Sequence, residues 1–207
     1  MSVALVAALS LAVVPVPQEP SRTLPPLLVP IHPQADDPLG GTYGLWAAGP
    51  DYKVSFHDGF AFHPYVPDAE RTRAWRWRTS SVRCGDRELL TERANPWHDA
   101  WRFELRSAGV IERYDVRADG VEQSFVVNER PHLGGSIAVE GVLESEFAAT
   151  PCAAHVGSVD FTWRDRTVLR YGAALAIDAL GHEFPVTTAF DGRAITLANP
   201  AAFSFPA

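Results

Sequence analysis

Seven histidines, two cysteines and 25 acidic residues carry most of the reactive chemistry in this 207-residue chain, and their spacing limits what that chemistry can be. No His-Glu-x-x-His or His-x-His pattern occurs, nor any oxygen-rich calcium loop, so no metal site and no cofactor is expected. His57 and His63 flank a predicted turn on opposite faces of its hairpin, and His63, beside Val54 and Tyr65, reads as a core or edge histidine. His132, His155 and His182 fall in predicted turns. His98-Asp99, in the loop ANPWHDAW, is the one pair placed where a hydrolase could use it, since loops host catalytic groups. No Gly-x-Ser-x-Gly elbow is present; Gly135-Ser136 opens a predicted strand, and Ser124 and Ser158 lie within strand patterns. A carboxylate pair for glycoside hydrolysis needs a separation that only the fold sets. Glu104 and Glu112 could share a sheet face, but both alternate with arginine and read as solvated charges. No catalytic residue is assigned.

The segment ERTRAWRWRTSSVRCGDR alternates Trp75 and Trp77 with Arg76 and Arg78, which puts two indoles on one strand face and two guanidiniums on the other. Exposed, the indoles would stack on sugar rings or aromatic ligands, and Trp97, His98 and Trp101 would join them as candidate ligand contacts. Buried, the same pattern is an amphipathic strand with tryptophan in the core, the commoner fate of large aromatics.

Residues 3–14 form an uncharged Ala/Leu/Val run, long enough for a signal h-region and too short to span a membrane. Residues 1–17 therefore read as a signal peptide, although no Lys or Arg precedes the run and no clean Ala-x-Ala site follows it. Residues 18–41, rich in proline and closed by Gly40-Gly41, read as an extended linker. One domain would then fill residues 42–207, and the chain would be secreted or held at the cell surface. In that oxidising setting Cys84 and Cys152 could pair, closing a loop worth about 4 kcal/mol by loop entropy. Two cysteines alone cannot make a zinc site.

The net charge of −7 repels phosphate backbones, so nucleic acid is disfavoured as a partner. Carbohydrate and other surface proteins remain open as partners, and the mature chain has no membrane span.

The elements that must position these residues are strands. Period-two alternation recurs, broken by Asp-Gly pairs suited to tight hairpins. A two-residue turn at Asp58-Gly59 pairs Phe56 with Ala61, Val54 with His63 and Tyr52 with Tyr65. A turn at Asp119-Gly120 pairs Tyr114 with Phe125, Val116 with Gln123 and Arg117 with Glu122, and Ser107-Ala108-Gly109 supplies the earlier return of the same meander. A third, at Asp191-Gly192, sets Val186 against Leu197. Further strands are expected at 136–144, 158–163, 167–171 and 173–178, and a short helix at 86–93. The expected fold is mainly β, an antiparallel sandwich or open barrel of short hairpin-connected strands.

The stretches RFELRSAGVIERYDVRADGVEQSFVV and VLRYGAALAIDALGHEFPVTTAFDGRAITL carry a resemblance across residues 101–206. This half of the chain resembles a β-rich module found near the N-terminus of large secreted or surface proteins of Planctomycetes and myxobacteria-like bacteria. Such modules commonly run into an Ala-x-Tyr-Pro-Leu/Val-Ile-Asp-Pro ending, where this chain has Ala202-Phe203-Ser204-Phe205-Pro206-Ala207. The resemblance implies a non-enzymatic β module, standing alone or cut short. Three functions are thus expected in order: a structural or adhesive surface domain, a carbohydrate- or small-ligand-binding sandwich, and an extracellular hydrolase.

Overall fold

The computed structural model describes residues 3–5, 27–33, 42–67, 69–127, 136–151, 157–177 and 181–199. These form strands and turns, with no helix among the described residues. In chain order the strands are β1 (Val3–Leu5), β2 (His32–Pro33), β3 (Leu45–Ala48), β4 (Tyr52–His57), β5 (Gly59–Pro64) and β6 (Trp75–Cys84). There follow β7 (Arg87–Glu88), β8 (Asn95–His98), β9 (Arg102–Arg106), β10 (Val110–Arg117), β11 (Gly120–Val127) and β12 (Ile137–Ser145). The last are β13 (Ala148–Pro151), β14 (Val159–Trp163), β15 (Arg166–Tyr171), β16 (Leu175–Ile177), β17 (Glu183–Pro185), β18 (Thr187–Phe190) and β19 (Ala194–Ala198).

All pairings are antiparallel, and the sheets do not close into a barrel, so the fold is a mainly-β sandwich. One sheet runs β17-β16-β1-β11-β10-β9-β8; the second runs β18-β19-β12-β6-β5-β4-β3-β2, with β7 beside β6; β13, β14 and β15 form a third. Alternation drives this: β10 reads buried and half-buried in strict turn along its length, which turns one face inward. The sheets meet through aromatics. Phe56 stacks on Phe103 at 4.5 Å between ring centres, and Phe60 meets Tyr114 at 5.0 Å. The third sheet packs on β6, with Tyr171 stacked on Trp77 at 5.6 Å and Phe161 edge-on to Trp75 at 5.6 Å.

Three hairpin registers differ from expectation. At the first turn His57 pairs Gly59, leaving Asp58 alone at the tip, so Phe56 faces Phe60 and Val54 faces Phe62. That one-residue slip moves His63 to the face of His57 rather than the opposite one, because side chains alternate along a strand. Gly59 takes a positive φ of 131°, and a Cβ there would meet the Trp77 carbonyl oxygen at 2.0 Å. At the second turn Ala118 and Asp119 are the tip, so Tyr114 pairs Gln123 and Val116 pairs Val121. This slip is two residues, so the inward set is unchanged and Arg117 still bonds Glu122 at 2.5 Å. At the third, Phe190 pairs Ile195 and Thr188 pairs Leu197. Asp191 holds the wider loop by accepting the backbone N–H groups of Arg193 and Ala194 at 2.8 and 2.7 Å.

Two further expectations are corrected. Residues 86–93 are not helical: Glu88 accepts the backbone N–H groups of Val82 and Leu90 at 3.0 and 2.9 Å and the Ser81 hydroxyl at 2.6 Å, fixing a short strand. Part of the proline-rich stretch belongs to the fold. Val29 and Ile31 donate to the carbonyls of Val116 and Ala100, and Ile31 is buried. Within the apolar N-terminal run, Val3–Leu5 forms β1, paired with both β11 and β16.

Candidate functional site

The inward phase of β10 reads Val110, Glu112, Tyr114, Val116, and all four are buried. Glu112 is therefore an interior carboxyl, not the solvated charge its Arg113 neighbour suggests. Glu104 faces the other side of the sheet, opposite Arg113 in register, and is also buried, held by Arg106 at 2.7 Å and Arg113 at 2.8 Å. The two glutamates thus lie on opposite faces and form no catalytic pair.

Four donors converge on one oxygen of Glu112, Oε1. The Trp77 indole donates at 3.2 Å, the Thr79 hydroxyl at 2.6 Å and the Gln123 amide at 2.7 Å, and the Tyr114 hydroxyl donates as well. Burial pushes the Glu112 carboxyl above its ordinary range, against the opposing pull of these four donors. The Tyr114 and Tyr171 hydroxyls are likewise raised, first by burial and then by the nearby Glu112 charge.

A β-bulge puts the donors there. Between β6 and β12 the register shifts after Glu140, leaving Ser80 as the extra residue between Thr79 and Ser81. Trp75, Trp77 and Thr79 point inward before it, and Val82 and Cys84 point inward after it, all buried. Gly141 lets β12 pass the bulge: a Cβ at this position would lie 2.0 Å from the Trp77 ring.

Beside Glu112 lies a cavity of about 200 Å³. Val82, Leu90, Ala94, Leu105, Val110 and Phe125 form its apolar wall, Thr79 and Glu112 its polar floor, and Asp58, Arg78, Glu92 and Arg93 its mouth. The chain between β7 and β8 crosses from one sheet to the other and contributes Leu90, Glu92, Arg93 and Ala94. A second cleft, of about 270 Å³, shares Asp58 and Arg78 and includes His57, Arg76, Trp77 and Glu144. Burial lowers the His57 pKa, and the Arg76 charge lowers it further.

Of the candidate ligand contacts, Trp75 and Trp77 are 0% and 2% exposed, so neither can stack on a ligand from solvent. Their burial follows from the inward phase of β6. Trp97 is 38% exposed and Trp101 half-buried, and arginines already cover a face of each: Arg106 at 4.1 Å and Arg102 at 4.7 Å from the ring centres. His98 is exposed, and the Asp99 carboxylate accepts the backbone N–H groups of Trp101 and Arg102 at 3.0 and 2.9 Å. Asp99 is thereby a turn residue. None of the five candidate contacts lines the cavity, although the Trp77 indole reaches its Glu112 floor and lines the second cleft. Cys84 is buried at the end of β6, and burial raises its thiol pKa; Cys152, His132 and His155 lie outside the described residues. No group of three or more His, Cys, Asp or Glu side chains among the described residues is arranged to hold a metal, and no described helix is long and apolar enough to cross a membrane.

The Glu112 cavity was not anticipated from sequence. Its signal was there in VIERYDVR, where a glutamate stands in the apolar phase of an otherwise clean alternation.

The fold and cavity define an open β-sandwich with an internal polar cluster. Compared with known proteins, the chain matches no protein-family model, no curated protein and no solved structure.

Proposed function

We propose that this chain is an exported, non-catalytic β-sandwich that binds a small ligand in the cavity over Glu112. One observation carries the reading: a carboxyl buried to 7% exposure, with four donors on one oxygen, lines a cavity that has an apolar wall and a charged mouth. A concave, mostly apolar pocket with a few fixed polar groups is the usual form of a small-molecule site. A purely architectural domain would gain more stability from filling the same space with hydrocarbon. Export rests on the resemblance to surface-protein modules; the apolar N-terminal run, which supplies β1, and the proline-rich segment, part of which is built into the fold, do not add to it. Pairing of Cys84 with Cys152 would accompany export, and mass measurement with and without reduction tests it.

Melting in the presence of a small-molecule library tests the binding reading, with wild type compared to Ala94→Trp, in which the new indole occupies the cavity. A ligand at about 100 times its Kd should stabilise wild type by about 2.7 kcal/mol and leave Ala94→Trp unmoved. A library that moves neither protein, or both equally, would overturn the reading.

A further inference from the structure

The charged groups at the cavity mouth differ in whether the protein already satisfies them. Asp58 accepts the Tyr43 hydroxyl at 2.6 Å and has Arg93 at 3.9 Å. Glu92 accepts the Ala108 backbone N–H at 3.3 Å. Arg93 has Asp58. Arg78 is exposed and has no ion-pair partner among the described residues, although it lines both the cavity and the neighbouring cleft. Arg76, two residues earlier on the same face of β6, adds positive charge in that cleft and is partly offset by Glu144, its cross-strand partner.

The register explains why Arg78 stands apart. Its β12 partner is Val142, which offers no charge. Gly59 packs where a side chain would otherwise meet Trp77 and Arg78: a Cβ there would lie 3.0 Å from the Arg78 Cα. The guanidinium thus has a side-chain-free neighbour on one strand and an aliphatic one on the other. Arg78 is also among the residues that line the cavity, whose wall is hydrocarbon.

We infer that the ligand is a small organic anion, a carboxylate carried on one ring or a short apolar chain, with its body against Leu105, Val110 and Phe125 and its carboxylate on Arg78. This rests on the cavity being the binding site. A guanidinium fork matches a carboxylate in geometry and charge, and an apolar body replaces water along the wall. A cationic ligand would meet Arg78 unshielded at the entrance, where Asp58 already has the Tyr43 hydroxyl and Arg93.

Calorimetric titration of the full chain with phenylacetate, phenethylamine and phenethyl alcohol separates the possibilities. The carboxylate should bind more tightly than the amine or the alcohol. Arg78→Ala should weaken the carboxylate about tenfold, the loss of one charge-assisted contact, and leave the alcohol unchanged. Arg78→Lys should recover part of the loss. Because Arg78 is exposed, both variants should melt with wild type. If the amine or alcohol binds as tightly as the carboxylate, or Arg78→Ala has no effect, the anion inference falls while the cavity stands. If none of the three binds and the library in the melting experiment moves nothing, both fall.

Discussion

The indole N–H of Trp77, on one sheet, donates to the carboxyl of Glu112, on the other, at 3.2 Å. That bond crosses the sandwich where the hydrocarbon core gives way to the cavity. It ties the position of a buried indole on β6 to the one interior carboxyl of β10, so changes at either residue should be felt at both.

Replacing Glu112 with alanine takes the Glu112 acceptor from Thr79, Tyr114 and Gln123 at once, while the Trp77 indole keeps the Thr79 hydroxyl at 3.0 Å. Each unsatisfied buried donor costs about 1–3 kcal/mol, and relaxation will recover some of this, so Glu112→Ala should lose roughly 3–5 kcal/mol of stability. Glu112→Gln keeps an acceptor oxygen and should lose less than about 2 kcal/mol. Urea unfolding measures both, and equal losses would show that the converging donors do not depend on that oxygen.

The pH dependence has a definite sign. The Glu112 carboxyl is raised in the folded protein from an ordinary 4.5, so folding favours its protonated form. That contribution is fully present below 4.5 and is lost as pH rises through the folded value. The stability of wild type relative to Glu112→Gln should therefore fall between acid and neutral pH. A difference that grew with pH would mean the carboxyl is held ionised instead.

Gly141 is the point where β12 gives way to Trp77. An alanine Cβ would lie 2.0 Å from the indole, and Tyr171 and Trp75 stack on that ring at 5.6 and 6.4 Å, so it has little room to yield. Gly141→Ala should cost about 1–3 kcal/mol and alter the near-ultraviolet circular dichroism of the tryptophans. An unchanged spectrum would show that the indole is not confined as described.

Two other acids show how burial sets the worth of an ion pair. Glu104 is buried beneath Arg106 and Arg113, and Glu104→Ala should destabilise by about 3 kcal/mol. Glu146 also joins two arginines, Arg71 and Arg73, but its own carboxylate is exposed, and Glu146→Ala should cost less than Glu104→Ala. Paired thermal melts check the contrast.

Trp97 is the most exposed of the tryptophans proposed to bind sugars. Trp97→Ala should lose no more than about 1 kcal/mol with its Arg106 contact and leave ligand binding unchanged. Loss of binding in this variant would move the site from the cavity to the surface around β8.

Much of the strand plan was legible in the chain, because alternation survives wherever one face is buried. The expected strand at 136–144 falls on Ile137–Ser145, and that at 167–171 on Arg166–Tyr171. Registers were harder, since Asp-Gly marks a turn without fixing how many residues occupy its tip. Asp58 stands alone between paired neighbours, whereas Asp191 organises a longer loop through its side chain. Helix propensity in residues 86–93 lost to the three hydrogen bonds on Glu88. The cavity was hidden for a different reason: Glu112 sits between Ile111 and Arg113 in a strand rich in charge, and only its phase marks it as interior. The bulge at Ser80, which turns Thr79 and Val82 to the same side, leaves no mark in composition.

The most direct test of the cavity is a map of backbone amide and methyl chemical-shift changes as phenylacetate is titrated into the isotope-labelled chain. Changes centred on Thr79, Leu90, Leu105, Val110 and Glu112, saturating together, are expected. Changes centred instead on Trp97 and Trp101 would contradict a ligand site over Glu112.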